Sequence, residues 1–211
     1  LHLQQCHDIS PGFNVSELTA LIHYEKHSHY ARGDGPSMKA SRKSAMKSEC
    51  PDTLCPITRS TSVIGDRWSI MILRELFMGL SRFQDIQAQT GATPQMLTAR
   101  FKRLEADGLI ERRAYSKRPL RYEYRLTPMG RETRSIILAL RSWGEAWVKR
   151  PREGVAVRMT HRTCGTETHF DGTCPACRIV APWQDLVGQP TPAYTAERSK
   201  RADAFTQSLR T

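Results

Sequence analysis

The sequence predicts an α+β chain, mainly helical, with one small β hairpin and a compact cysteine-rich unit near its C-terminal end. Three observations carry this. Apolar residues recur at helical spacing in successive segments between residues 57 and 147, punctuated by Gly, Thr-Pro and Asp-Gly signals. Two strand-like stretches, 109–113 and 121–126, flank a basic tip, AYSKRPLR. The segment HRTCGTETHFDGTCPAC then spaces four metal-type donors as two pairs, each with two residues between its members.

Taken in order, residues 57–64 form a short helix that Gly65-Asp66 breaks. Trp68, Ile72, Leu73 and Leu76 make the apolar stripe of a second helix that ends near Gly79. Ser81 is placed to cap a third helix over 82–89, with Phe83 and Ile86 inward. Thr90-Gly91-Ala92 turns the chain. Thr93 is a good N-cap, and Pro94 stands at the first helical position, where proline is tolerated. Leu97, Phe101 and Leu104 form the buried seam of this fourth helix, closed by Asp107-Gly108. After the hairpin, Thr127-Pro128 opens a last long helix with Ile136, Ile137, Leu140, Trp143 and Trp147 on one side. A short strand, VAVRMTH, leads into the cysteine cluster. The tail, 188–211, is rich in proline and charge and reads as flexible.

Helix, three-residue turn, helix, then two strands joined by a basic tip is the plan of a winged helix-turn-helix, whose second helix enters the DNA major groove. Opposite the Leu97–Phe101–Leu104 seam lie Gln95, Ala99, Lys102 and Arg103, flanked by Met96 and Arg100. Gln and Arg match the hydrogen-bonding edges of adenine and guanine, and a small Ala permits close approach. With Thr93, these are the candidate DNA contacts of the helix. Those of the wing are Arg113, Lys117, Arg118 and Arg121, which phosphates would attract. Arg112, Arg125, Arg131 and Arg134 add to the positive charge, and only Glu123 and Glu132 offset it between Arg112 and Arg134. The competing reading of this face, a solvated side of a structural helix, does not explain so much clustered charge.

The ordered set CPITRSTSVIGDRWSIMILRELFMGLSRFQDIQ, MLTARFKRLEADGLIERRAY, PLRYEYRLTPMGRE and ALRSWGEAW strongly resembles the HxlR-type family of winged-helix transcriptional regulators. The resemblance runs from Cys55 to about Trp147. It implies a bacterial DNA-binding protein, dimeric through its N- and C-terminal helices, with Trp143 and Trp147 at the interface or in the core. It also implies a redox-sensing role for Cys55, which several members carry. Physically, Cys55 precedes a helix whose dipole lowers a thiol pKa, with Arg59 one turn on. An inert cysteine is the plainer alternative. Cys50 is placed to resolve an oxidised Cys55.

Composition agrees with a polyanionic partner. The 211 residues hold 32 Lys+Arg against 21 Asp+Glu, a net charge of +11. No run reaches the ~18 apolar residues of a membrane span, and no secretory signal is visible. The six cysteines do not form a disulfide pattern, which fits reduced, cytoplasmic chemistry.

Residues 1–37, with His2, His7, His23, His27 and His29, read as a non-native or disordered extension, and 38–54 as a basic tail that starts at Met38. Residues 55–150 are the winged helix with its dimerisation helices.

Residues 151–187 are a zinc-ribbon-like unit in which His161, Cys164, Cys174 and Cys177 offer four donors for a structural zinc. His169 competes with His161 for the fourth place. A closed four-ligand site leaves no position for substrate, so the chain is not expected to be an enzyme.

The expected function is therefore a homodimeric, sequence-specific regulator on inverted half-sites of duplex DNA, responsive to redox or to a ligand. Two alternatives use Cys174-x-x-Cys177 instead: a thiol-redox protein, or a zinc ribbon that docks on another protein. The first would need a thioredoxin-like βαβ context that the flanking sequence does not offer.

Overall fold

The structure, a computed structural model, describes residues 51–150 and 152–210. The expected extension 1–37, its histidines, most of the basic tail and Cys50 lie outside these residues.

Helix α1 (Pro56–Ile64) ends at Gly65, and Asp66 starts α2 (Arg67–Phe77) by accepting the N–H groups of Trp68 and Ser69 at 3.0 and 3.1 Å. Ile72 and Leu73 of α2 are fully buried against Ile86 of α3 (Phe83–Thr90) and Leu97, Phe101 and Leu104 of α4 (Pro94–Ala106). Between α3 and α4, Gly91 takes φ +69°, a conformation that disfavours other residues, and the Thr93 hydroxyl accepts the Met96 N–H at 3.3 Å. The helix-turn-helix is thus fixed by one left-handed glycine and one threonine cap.

Strands β1 (Ile110–Lys117) and β2 (Leu120–Leu126) pair antiparallel from Ile110↔Leu126 to Lys117↔Leu120, with an irregularity between Ala114 and Ser116. The Tyr124 ring stacks on Phe101 at 3.9 Å, which ties the hairpin to α4. The expected Ser81 cap is not made. Arg82 occupies the N-cap of α3 without a side-chain bond, and the Ser81 carbonyl instead accepts the Tyr124 N–H at 2.8 Å. An Arg82↔Glu123 bridge makes this stretch a minimal third strand of the wing.

The expected long helix after Thr127 is broken into α5 (Pro128–Glu132) and α6 (Arg134–Trp143). At the break, the Thr133 hydroxyl and N–H both donate to the Gly130 carbonyl, a tightened turn that competes with the α-helical ladder. Gly130 itself packs so closely that a Cβ there would sit 1.9 Å from the Leu109 carbonyl oxygen. A π-helical turn, Gly144–Val148, ends α6.

Strand β3 (Val157–His161) pairs antiparallel with β6 (Leu186–Pro190), and β4 (Thr173–Cys174) with β5 (Ile179–Val180). Met159, Ala181 and Leu186 form a small core here, against Leu138 of α6. The tail expected to be flexible is β6 followed by a 17-residue helix, α7 (Pro192–Ser208). Its partly buried side, Tyr194, Arg198, Ala202 and Phe205, recurs at helical spacing. Arg198 reaches the fully buried Glu75 at 2.5 Å, and its carbonyl accepts the Gln89 side chain at 2.8 Å. A polar anchor rather than apolar patterning holds this helix, which is why hydrophobic periodicity misses it.

Candidate nucleic-acid interface and metal centre

The exposed side of α4 carries Gln95, Met96, Ala99 and Lys102, with Thr93 exposed at its start, all as the helical wheel places them. The two remaining helix candidates are engaged elsewhere. Arg100 pairs with Asp66, the cap of α2, at 2.9 Å. Arg103 donates to the Ser62 carbonyl of α1 and lies 3.7 Å from the carboxylate of buried Asp107. Both therefore brace α4 against its neighbours, and neither points a free guanidinium outward.

On the wing, Arg113 pairs with Glu111 at 2.5 Å and Arg125 with Glu123 at 2.6 Å. Arg112 lies over the Tyr122 ring at 4.3 Å. Lys117, Arg118 and Arg121, at and beside the Arg118–Pro119 tip, are exposed and make no salt bridge among the described residues. Sequence reasoning missed Arg82, whose guanidinium rests over exposed Tyr115 at 5.1 Å and extends the same basic surface.

The cysteine-rich unit brings four donors together. The Sγ atoms of Cys164, Cys174 and Cys177 and a ring nitrogen of His161 all lie within 4.8 Å of one another. Cys164 Sγ is 3.4 Å from both Cys174 Sγ and His161 Nδ1, close to the ~3.5–3.8 Å ligand separation of a tetrahedral zinc site. His169 is exposed and not part of the group. Two equivalent turns present the donors: the Gly165 N–H donates to the His161 carbonyl and the Arg178 N–H to the Cys174 carbonyl, each at 2.8 Å. In both, the residue after the second donor is left-handed, Gly165 at φ +70° and Arg178 at +57°.

The Cys177 N–H points at Cys174 Sγ, 3.5 Å away, as a donor to a thiolate would. Hydrogen bonds from the Thr166 hydroxyl and N–H lower the Cys164 thiol to about 6. The bond to Cys164, with burial, pushes Cys177 up to about 11. This cluster of one histidine and three cysteines has the donor set and spacing to bind a metal.

Cys55 is exposed at the N-cap of α1. Its thiol is lowered below its ordinary value by the Thr58 hydroxyl first, then by the N–H groups of Thr58 and Ile57. The expected contribution of Arg59 is not among the causes; the helix N-terminus supplies the effect. Among the described residues no helix is long and apolar enough to cross a membrane.

Comparison with known proteins agrees with the geometry. The HxlR-like helix-turn-helix family model matches residues 63–152. The HTH-type transcriptional regulator Rv3095 of Mycobacterium tuberculosis is 33% identical over 141 residues, covering 67% of this chain and 89% of the relative. The HTH-type transcriptional regulator sll1512 of Synechocystis is 38% identical over 97 residues, covering 46% and 72%. The crystal structure of PA1607 superposes with a TM-score of 0.50 at 35% identity, over 56% of this chain and 81% of that one. The chain belongs to the HxlR-like helix-turn-helix family and is a DNA-binding transcriptional regulator.

Proposed function

We propose that this regulator acts in the bacterial cytoplasm as a homodimer that sets two copies of α4 into major grooves of inverted half-sites about one helical turn apart. The observation that carries this reading is the pairing of an exposed, largely uncharged α4 face with a cationic wing tip whose charges are unspent within the fold. Gln95 reads a base edge, Ala99 and Met96 meet apolar base surface, and Thr93 and Lys102 hold the flanking backbone. Lys117, Arg118 and Arg121 lie along phosphates, with Arg113 behind them. The cluster of His161, Cys164, Cys174 and Cys177 holds a structural zinc that organises residues 151–187 as a ribbon. Cys55 is the candidate redox sensor, supported by its exposure and its lowered thiol.

Binding to a duplex selected from a random pool tests the division of labour. Gln95→Ala should cost ~1–3 kcal/mol and relax preference at one position per half-site. Arg118→Ala should weaken all sequences alike and reduce the salt slope by about 1. Arg103→Ala should lower thermal stability and leave base preference unchanged. Indistinguishable behaviour of the Gln95 and Arg118 variants would sink the assignment.

A further inference from the structure

A cavity of about 430 Å³ lies between α2, α6 and the β3–β6 ribbon, with Tyr194 of α7 also on its wall. That volume falls in the range of small-molecule sites. Apolar side chains dominate the lining, among them Phe77, Leu138, Val157 and Met159, yet three arginines and one acid also face it. Arg74 is spent on Glu75, at 2.7 Å, and the acid, Glu145, on Lys149, at 3.0 Å. That leaves Arg134 and Arg141, seven residues apart and so on one face of α6.

Neither forms a salt bridge among the described residues. Arg134 donates to the Leu186 carbonyl at 2.7 Å and Arg141 to the Val157 carbonyl at 2.5 Å. The Arg141 Nε is buried with no hydrogen-bond partner. Burial lowers the pKa of both guanidiniums, reinforced at Arg134 by Arg162 and opposed at Arg141 by Glu145 and Glu167. Two half-buried cations with no ion-paired carboxylate, beside an apolar cleft, are a costly arrangement that an anion would relieve.

We propose that this cavity is an effector site for an amphipathic carboxylate, an aromatic or medium-chain aliphatic acid whose apolar body fills the cleft and whose carboxylate is held by Arg141 and Arg134. A second copy of the chain is a poorer occupant. The cavity's charges that form no ion pair are cationic, whereas the exposed stripe that a partner's α6 and π turn would bring, Trp143 and Trp147, is apolar. The cavity touches the ribbon and also α2, which packs on the helix-turn-helix, so an occupant fixes α6 between them. Its consequence for DNA rests on the regulator reading; occupancy itself does not.

Calorimetric titration of the full chain without DNA tests the site directly, with 1-naphthoate and decanoate as probes and 1-naphthalenemethanol as the neutral control. Both acids should bind once per chain, at least about tenfold more tightly than the alcohol. Arg141→Gln and Arg134→Gln should each remove most of that preference while leaving the alcohol unchanged. Met159→Trp, which fills the cleft, should abolish all binding while operator binding persists. Wild-type protein that binds neither acid at about 1 mM, or binds acid and alcohol equally, overturns the proposal. So does an acid affinity that falls as protein concentration rises, because a second copy would then occupy the cleft.

Discussion

Arg103 shows how far one residue can depart from a helical wheel. The wheel puts it on the outer side of α4, but Asp107, 1% exposed at the C-cap, is a buried carboxylate at the negative end of the helix dipole. Neither carboxylate oxygen has a hydrogen-bond partner, and Arg103 is the neighbouring cation. The burial of Asp107 is a tertiary fact, invisible to local spacing, so the wheel foresees the exposure of Gln95 and Lys102 but not the ties of Arg103 to Ser62 and Asp107. Cys55 is the opposite case, because its setting is local and therefore legible. A thiol lowered by the Thr58 hydroxyl and two backbone N–H groups reaches its thiolate form at lower pH than an ordinary cysteine near 9.0. The pH of half-maximal alkylation by iodoacetamide should therefore lie below that value, and Thr58→Val should move it up. If Cys55 is a sensor, peroxide should weaken operator binding of the wild type and leave Cys55→Ser unaffected. A midpoint that does not respond to Thr58→Val removes the physical basis for special reactivity.

At the scale of elements, the same cap signal recurs three times, at Thr93-Pro94, Thr127-Pro128 and Thr191-Pro192. Only the first two are read as helix starts, because the residues after Pro192 lack a clear apolar stripe; the third threonine accepts the Tyr194 N–H at 3.4 Å all the same. The break at Thr133 is hidden for a related reason, since a side-chain bond to Gly130 leaves no mark in apolar periodicity. The paired turns that present His161 and the three cysteines are legible because the spacing of such donors is a local property. Their stability is not self-supplied: the core of this unit is Met159, Ala181 and Leu186. A four-ligand structural zinc contributes of order 10 kcal/mol, enough to hold so small a unit. Purified reduced protein should therefore carry one zinc per chain. Chelation or Cys174→Ser should open residues 162–180 to proteolysis first, leaving the winged helix folded on its separate core. Metal-free protein that resists cleavage there would show that these residues need no ion.

For the whole molecule, surface chemistry divides by position. The net charge of +11 suits a polyanionic partner, and its unpaired part includes the wing tip. Along α6 and the π turn the surface is apolar instead, with Trp143 60% and Trp147 78% exposed beside Leu140 and Val148. Ile57 of α1 is exposed as well. The core reading of the two tryptophans is therefore excluded within one chain, and the interface reading gains. Aromatic side chains bury ~150–250 Å² each, so covering both would stabilise association by several kcal/mol per protomer at about 25 cal/mol per Å². Isolated large apolar patches of this kind are uncommon on monomers. Sedimentation should accordingly find a species of twice the 24.0 kDa of one chain. Because Trp147 is largely exposed, Trp147→Glu should leave the melting of an isolated chain near that of the wild type while shifting the equilibrium to monomer. A single half-site should still be bound by that variant, but the gain from joining two half-sites should vanish. Wild-type protein that sediments as a monomer at micromolar concentration and still prefers paired half-sites would require a different association surface.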